Sequence, residues 1–511
     1  MSTPAILAID LGTGSVKALL IDRECSVLAS ASTSYPVLRP HDGWAEQDPD
    51  AWWHATVAAA RQAIAAFGDP KVTAIGLSGQ MHGTVLLDAS FQPLRPAIIW
   101  EDRRSAAQVR SLTEAIGAAR LIDIGGSPVA TGFQAATLAW LVEHEPEVIA
   151  KTLSILLPAD YLRFRLTGEL ATEPSDASST LLFDVERRTW SPEMADAVGI
   201  DLALLPPVVR SAAISGNLTT EAAGELGLQP GIPVAGDGAD APLAALAADA
   251  TAIDTLLLTI STGSQAILPA AQPVVDPKGR IHTWCSLAEP GSDLPAWYQM
   301  GATLASGRAL RWLREEVISL PAGDLDDSIA HVPPGSEGLL FLPYLNGERT
   351  PHMDPDASGA FLGLKAHHGP DELTRSVMEG SVFALYDAFE VLEELSGAPA
   401  RIVLAGGGAR SRVWTQIVAD IFALPVDPLE ESEGSALGAA IVAGTAVGWF
   451  DLADGAHRSA RFGERIEPQP AAVAIYRELH PIFQHAYQAL KDDLHALGDI
   501  ASRARAASID S

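Results

Sequence analysis

Apolar and polar positions along the chain predict two β-hairpins, one near the start and one halfway along. Residues 5–9 and 16–21 are apolar runs on either side of a Gly-Thr-Gly turn at 12–14. Apolar run, tight turn, apolar run is typical of a hairpin. Residues 255–260 and 264–268 repeat the pattern around a Ser-Thr-Gly-Ser turn, 249 residues later. A repeat of that length predicts two related domains rather than a solenoid.

Strand and helix patterns alternate along the rest of the chain. Residues 26–35, 72–77, 232–235 and 401–404 predict strands, and residues 50–67, 303–320 and 370–395 predict helices. This order predicts the α/β class with mixed sheets. We place an N-terminal domain at 1–248, a C-terminal domain at 249–490 and a tail at 491–511.

Length, charge and cysteine content narrow the class of protein. The chain has 511 residues, which is too long for a single core. A net charge of −30 without runs of Lys or Arg argues against nucleic-acid and anionic-membrane partners. Cys25 and Cys285 form no disulfide framework, and no apolar stretch reaches membrane-spanning length. We therefore expect a cytoplasmic protein that binds neither nucleic acid nor membrane.

Asp10 and the turn that follows it fit a phosphate group with Mg²⁺. Gly12 and Gly14 allow a positive φ or a close approach to a ligand, and neighbouring amide groups can then face an anion. A carboxylate oxygen suits Mg²⁺ beside a triphosphate. A plain structural turn is the alternative that this stretch alone leaves open.

Two polar stretches follow predicted strands, where open α/β sheets bind ligands. Gln80 and His82 are candidate partners of a hydroxyl group, and a histidine satisfied within its loop is the alternative. Asp237 and Asp240 lie in a glycine turn, where a carboxylate can act as general base. The alternative is that both cap the next helix.

Three glycines at 406–408 follow a predicted strand. They would let a planar ligand lie against bare backbone, and the next helix would offer its N-terminus. A plain glycine loop is the alternative. The small-residue helix predicted at 436–446 is expected to pack beside a nucleotide.

The order of these motifs resembles the FGGY carbohydrate kinase family over nearly the whole chain, from Asp10 to about Gly448. The stretches that carry the resemblance are 10–17, 46–53, 78–83, 261–264, 343–351, 405–411 and the turn at Asp240, with 359–379 resembling the family's second signature. The resemblance implies two duplicated actin-like, ribonuclease-H-like domains with a cleft between them. It also implies transfer of a phosphoryl group from ATP to a sugar hydroxyl.

The resemblance also implies roles for individual residues and a set of ligands. The general base is Asp240, and the sugar-binding residues are Gln80, Met81, His82 and Asp102. The residues for ATP are Gly12, Thr13, Gly14, Lys17, Ser261, Thr262, Gly263, Gly406, Gly407 and Gly408, and those for Mg²⁺ are Asp10 and Asp237. The ligands are ATP, Mg²⁺ and a small sugar, and a homodimer is an open option.

The identity of the sugar stays open because this chain departs from the family pattern beside the sugar site. An ungapped match from Val234 favours Asp240 over Asp237 as the base. Ala241 stands where the family has Asn, and Glu101 stands in a Trp-Asn-Asp motif. D-xylulose, phosphorylated to D-xylulose 5-phosphate, is the leading hypothesis. A kinase for ribulose or erythritol, a non-catalytic sugar-binding regulator, and an ATPase of the chaperone or filament type are the alternatives.

Overall fold

The computed structural model describes residues 3–68, 70–319, 325–430 and 433–509. The strands are β1 Pro4–Leu11, β2 Ser15–Ile21, β3 Val27–Ser34, β4 Glu46–Gln47, β5 Lys71–Gly79, β6 Val85–Leu87, β7 Ala97–Ile98, β8 Ser154–Leu156, β9 Phe183–Asp184, β10 Thr189–Trp190, β11 Ile214–Asn217, β12 Pro233–Ala235, β13 Thr255–Ile260, β14 Ser264–Ala270, β15 His282–Cys285, β16 Trp297–Thr303, β17 Leu340–Leu342, β18 Ala360–Leu362, β19 Arg401–Ala405 and β20 Val426–Pro428.

Helices separate most of these strands. They are α1 Pro49–Phe67, α2 Ala106–Ile116, α3 Ala118–Gly125, α4 Gln134–His144, α5 Pro146–Ile149, α6 Pro158–Thr167, α7 Pro174–Ala177, α8 Pro192–Val198, α9 Thr220–Leu226, α10 Asp240–Ala247, α11 Gly307–Trp312, α12 Leu325–Ile329, α13 Pro370–Ser396, α14 Arg412–Phe422, α15 Gly434–Ala446, α16 Leu452–Ser459 and α17 Pro470–Ile509. Within the described ranges, no helix is long and apolar enough to cross a membrane.

Five strands lie in the same order in the two large sheets, β12-β5-β1-β2-β3 in the first and β20-β19-β13-β14-β16 in the second, which confirms the predicted duplication. The first sheet runs β11-β12-β5-β1-β2-β3, and the second runs β15-β16-β14-β13-β19-β20. In each, the hairpin strands are antiparallel and the first of them has a parallel neighbour on its other side, β5 for β1 and β19 for β13. The α/β class with two related domains is therefore confirmed.

The chain forms two compact units that do not follow a single cut. Unit 1 consists of Met1–Ala252, Pro269–Tyr298 and Glu433–Ala460, and unit 2 consists of Ile253–Leu268, Gln299–Ser432 and Arg461–Ser511. The predicted division near residue 248 lies close to the end of the first segment of unit 1. Two later segments, Pro269–Tyr298 and Glu433–Ala460, also belong to unit 1, whereas the prediction placed them in the C-terminal domain. Contacts between residues far apart in sequence bring them there.

Residues of β1 alternate between two apolar cores in unit 1. Leu7 and Ile9 face the core that contains Trp52 of α1, whereas Ile6 and Ala8 face the core that contains α10 and α15. This period of two is what a strand buried on both faces requires. The first sheet is therefore covered by helices on both sides.

The small residues of α15 serve backbone packing within unit 1. A Cβ added at Gly76 of β5 would lie 2.1 Å from the carbonyl oxygen of Ala439, and one at Gly438 would lie 2.1 Å from that of Leu243 in α10. Such approaches exclude any side chain. The prediction had assigned these small residues to a nucleotide; the structure shows that sheet and helix packing already requires them.

Two predicted helix boundaries differ from the structure. The helix expected from residue 303 begins at Gly307, because β16 continues to Thr303, and its predicted end at residue 320 lies outside the described residues. The last helix continues to Ile509, past residue 491 where we predicted a tail. Good helix formers such as Ala, Leu, Lys and Arg fill that stretch, which favours continuation.

Candidate active site

The main-chain oxygens of the first glycine turn all point toward protein donors. The Gly12 oxygen accepts from the Tyr35 hydroxyl, and the Gly14 oxygen accepts from the Tyr35 N–H at 3.2 Å. The Thr13 oxygen accepts from Nε2 of Gln47 at 2.5 Å. Tyr35, which directly follows β3, and Gln47 of β4 therefore hold this turn in one orientation.

The opposite side of the same turn presents unused donors. Gly12 N–H donates to the Ser15 oxygen at 3.0 Å, but in the described part of the chain nothing accepts from the N–H groups of Thr13 and Gly14. Neither Gly12 nor Gly14 has a positive φ, and a Cβ at Gly14 would meet nothing within 4 Å. A positive φ and a close approach to a ligand were the two uses predicted for these glycines, and the structure excludes the positive φ. Paired free amide groups of this kind bind anions.

Asp10 lies half-buried at the end of β1 beside this turn. Burial raises its pKa, while the hydroxyls of Ser78 and Ser435 and the charge of Lys17 lower it. Lys17, predicted to contact ATP, forms an ion pair with Glu433. A buried carboxylate with a raised pKa gains from a nearby cation, so Asp10 fits the predicted Mg²⁺.

The turn between β13 and β14 repeats the arrangement in unit 2. The Ser261 oxygen accepts from Gly307 N–H at 2.8 Å, the Thr262 oxygen from Arg308 N–H at 3.0 Å, and the Gly263 oxygen from Ser261 N–H at 2.9 Å. Within the described ranges no group accepts from the N–H of Thr262 or Gly263. The two turns therefore share occupied carbonyls and free amides, which is a stronger similarity than their sequences alone provide.

The three glycines after β19 have different roles. A Cβ at Gly406, whose φ is +83°, would lie 2.5 Å from the Ile260 oxygen, and one at Gly408 would lie 2.7 Å from Cβ of Ile260. Gly407 is exposed, and a Cβ added there would lie no closer than 3.8 Å to another atom. A short 3₁₀ turn, Gly407–Arg410, contains two of these glycines and leads to α14, whose N-terminus is capped by Ser411. The next helix therefore begins four residues after the last glycine.

Gln80 lies at the end of β5 and is almost fully buried. Its N–H donates to the Leu11 oxygen at 2.8 Å, and its Nε2 donates to Oε1 of Gln47 at 2.8 Å. Its own Oε1 is buried without a protein partner among the described residues. An unpaired buried acceptor is costly unless a ligand or water donates a hydrogen bond to it. Oε1 of Gln80 therefore fits the predicted contact with a hydroxyl group.

His82 and Met81 follow Gln80, and both are largely buried. Nδ1 of His82 lies 2.8 Å from the Ser179 oxygen, and the ring stacks on Phe133 with centroids 4.0 Å apart. Because a carbonyl can only accept, Nδ1 carries a proton and donates it to this hydrogen bond. His82 is therefore fixed within its loop, as the alternative predicted.

Asp240 is the first residue of α10 and is half-buried. The residue before the helix is Ala239 and no side chain caps it, so the prediction that Asp240 is a cap is wrong. Burial, and then the charge of Asp10, raise the pKa of Asp240 to about 7, against a smaller lowering by the Ala241 backbone. A carboxylate with a pKa near neutrality can take and release a proton at physiological pH.

Asp237 has a different environment. It is 1% exposed, and its Oδ1 lies 3.1 Å from Nη1 of Arg163, which also binds Asp160 at 2.7 Å. Burial raises its pKa well above the ordinary value, Arg163 lowers it, and Asp160 and Glu173 raise it further. The metal role stays a prediction for Asp237, and its pairing with a buried guanidinium argues against that role.

Asp102 is engaged by protein groups on both oxygens. Arg104 binds both oxygens through Nε, at 2.9 and 3.0 Å, and the Ala45 N–H donates to Oδ2 at 2.7 Å. Glu101 next to it forms an ion pair with exposed Arg39. The cluster is therefore a buried ion pair with an exposed edge, and sugar binding by Asp102 stays a prediction.

Three buried side chains close to Asp240 and His82 escaped the sequence reasoning. The Trp284 ring lies 5.5 Å from the His82 ring, and the charges of Asp240 and Asp176 act on Tyr298, whose pKa burial raises most. Each has a buried polar atom without a partner in the described structure: Asp176 Oδ2, Trp284 Nε1 and Tyr298 OH. They belong to segments far apart in sequence, so no local motif could have found them.

In the part of the chain that the structure describes, each unit thus carries a turn with unpaired amide groups, and unit 1 also holds the half-buried carboxylates of Asp10 and Asp240. Residues 5–247 match the N-terminal domain, and residues 256–447 the C-terminal domain, of the FGGY family of carbohydrate kinases. The chain belongs to this family and is a sugar kinase, which confirms the resemblance. Sugar kinases of this family use ATP.

Three proteins illustrate what the chain is similar to. A xylulose kinase of Bacillus subtilis is 35% identical over 491 residues, which cover 95% of this chain and 97% of that protein. The crystal structure of xylulose kinase from Rhodospirillum rubrum has a TM-score of 0.88 at 32% identity, with 96% and 100% of the two chains covered. A gluconokinase of Bacillus licheniformis is 31% identical over 504 residues, with 96% and 97% covered.

Proposed function

We propose that the protein phosphorylates D-xylulose to D-xylulose 5-phosphate with ATP, and that Asp240 is the general base. The observation that carries the proposal is the half-buried Asp240, whose pKa of about 7 suits removal of a hydroxyl proton at neutral pH. The proximity of a second carboxylate, Asp10, keeps that pKa high. Similarity to xylulose kinases supports the choice of sugar.

Groups of unit 1 carry the transfer itself. Asp240 takes the proton of the sugar hydroxyl while the hydroxyl oxygen bonds to the γ-phosphorus, and the bond from that phosphorus to the β–γ bridging oxygen breaks, so that ADP leaves. The free N–H groups of Thr13 and Gly14 hold phosphate oxygens. In unit 2, Thr262 and Gly263 offer free N–H groups of the same kind.

Asp10 is the residue that would hold Mg²⁺. When bound, the ion would offset phosphate charge and leave the transfer itself to positioning and electrostatics. Oε1 of Gln80 would accept a hydrogen bond from a sugar hydroxyl, and His82 lies two residues further along the same loop. Gly407, which faces open space, would lie against the adenosine.

A sugar acid such as gluconate is the second candidate, because a gluconokinase is among the relatives. The charges near the base argue against it. Asp240 and Asp176 are both acidic, and Arg163 is bound to Asp160 and Asp237. A carboxylate in the substrate would meet acidic groups and a guanidinium that is already paired there, so a neutral ketose fits better.

A substrate panel tests the proposal. D-xylulose, D-ribulose, erythritol and D-gluconate would each be offered with ATP and Mg²⁺ in an assay coupled to ADP formation. We expect the highest kcat/KM for D-xylulose, and a drop of roughly 10²- to 10⁴-fold in Asp240→Asn. Asp237→Asn, checked for folding, should retain turnover. Absence of turnover with D-xylulose, or equal loss in both variants at equal stability, would overturn the proposal.

A further inference from the structure

The side chain of Gln47 connects the turn proposed to bind phosphate with the loop proposed to bind sugar. It is fully buried in unit 1. Its Nε2 donates to the main-chain oxygen of Thr13 at 2.5 Å, and its Oε1 accepts from Nε2 of Gln80 at 2.8 Å. One amide group therefore touches both candidate binding segments, which lie at the ends of β1 and β5.

The orientation of this amide is fixed by its partners. Oε1 also accepts from Nε1 of Trp52 at 3.0 Å, and an indole N–H can only donate. With two donors on one atom, that atom must be the oxygen, so the nitrogen faces Thr13. The backbone is fixed as well, since Gln47 pairs with Ala97 in the β4–β7 ladder.

Thr13 is held from a second side. Nε1 of Trp100 donates to its hydroxyl at 2.9 Å. Together with Gln47, this contact turns the carbonyl of Thr13 inward and leaves its N–H on the side where an anion would bind. Gln47 thus sets the direction of the Thr13 N–H. Through its Oε1 it also orients the side-chain amide of Gln80, whose own Oε1 has no protein partner among the described residues.

We propose that Gln47 is a positioning residue that sets the phosphate turn and the sugar loop together. The inference rests on the proposed function, because it assigns ATP to Thr13 and the sugar to Gln80. The stretch that contains Gln47 carried part of the family resemblance without a role. Its buried amide, with three bonds and no contact to solvent, supplies that role.

Gln47→Met tests the inference, since methionine has similar volume and makes none of the three hydrogen bonds. We expect KM for ATP and KM for D-xylulose, or for the sugar that the panel identifies, to rise about 3- to 10-fold each, as expected for loss of a neutral hydrogen bond. Trp100→Phe removes the hydrogen bond to the Thr13 hydroxyl, leaves the Gln47 amide in place, and should raise KM for ATP. Trp53→Phe is the matched control. Trp53 lies next to Trp52 on α1, but its Nε1 binds Glu225 of α9 at 3.0 Å and touches neither loop.

A second variant covers the case in which Gln47→Met does not fold. Gln47→Glu, assayed at pH 8.5, keeps an acceptor for Trp52 and Gln80 but places a carboxylate oxygen against the Thr13 carbonyl. KM for ATP should rise while KM for the sugar stays within about twofold. A core residue with a merely structural role would lower the melting temperature without this split.

The outcomes separate the two proposals. If the wild-type enzyme phosphorylates no sugar of the panel, the proposed function is wrong. If it does, and Gln47→Met changes only one KM or neither, or Gln47→Glu raises both equally, the positioning role is refuted while the function stands.

Discussion

Asp240→Asn should lower kcat/KM by roughly 10²- to 10⁴-fold and should stabilise the folded protein, relative to wild type, more at alkaline pH than at acidic pH. The ordinary pKa of the aspartate is 3.8, and burial and the Asp10 charge raise the pKa to about 7 in the folded chain. A raised native pKa means that the folded state holds the proton more tightly than the unfolded state. The contribution to stability is therefore full below pH 4 and is lost as the pH rises through 7.

The size of the effect follows from the two pKa values. Each pKa unit corresponds to about 1.4 kcal/mol, so placing Asp240 in its folded environment costs about 2 kcal/mol at pH 5.5, where the folded carboxyl keeps its proton, and about 4 kcal/mol at pH 8.5, where it is ionised. Asparagine removes this cost at both values. The variant should gain about 2 kcal/mol more at pH 8.5 than at pH 5.5, a range that avoids the isoelectric point near 4.7.

This difference is measured by urea unfolding of the ligand-free protein without Mg²⁺. Unfolding is monitored by circular dichroism, and the experiment is repeated at several pH values. Asp196→Asn is the control, because Asp196 is an exposed aspartate in α8 of the same unit and should show no comparable trend. An equal gain for Asp240→Asn at both pH values would refute the reasoning. It would show that Asp240 does not titrate between them, and the case for it as the base would lose its main support.

Three other predictions concern the binding turns and the cation. Gly14→Ala should fold normally, since an added Cβ meets nothing within 4 Å, but should raise KM for ATP because the methyl group lies beside the proposed phosphate donors; unchanged ATP kinetics would contradict this use of the turn. Gly263→Ala should lower the unfolding free energy by about 1–3 kcal/mol, because its Cβ would lie 2.5 Å from the Thr303 oxygen; calorimetry against Gly14→Ala checks it. Raising Mg²⁺ should shift the acidic limb of kcat/KM to lower pH, because a cation at Asp10 offsets the charge that raises the pKa of Asp240; pH profiles at two Mg²⁺ concentrations measure this, and a shift to higher pH would exclude Asp10 as the site.

The elements that sequence predicts well are those coded by local pattern. Both hairpins, the helix at 49–67 and the helix at 370–396 follow from apolar periodicity, and the repeat predicts the duplicated sheet. Their turns could be recognised because glycine and hydroxyl residues sit next to a strand end. Asp10 and Asp240 followed from position at strand ends, supported by family resemblance.

The rest depends on contacts that no local pattern encodes. Asp237 and Asp240 look alike in sequence, and only Arg163, 74 positions earlier, separates their environments. Gly76 and Ala439 are ordinary small residues in the sequence, and only the packing of α15 on β5 shows why a larger residue at position 76 is excluded. The bonds of Gln47 join three segments, so its place in a familiar motif carried no information about its partners.

The return of the chain to unit 1 has a consequence for how the protein is made. α15 covers one face of the first sheet, where Ile6 and Ala8 are buried. A nascent chain that ends before residue 434 lacks this cover, so the N-terminal half emerges from the ribosome with an apolar face that it cannot bury by itself. Completion of the active site thus has to wait for nearly the whole chain, and a fragment cut at the apparent midpoint should aggregate rather than fold.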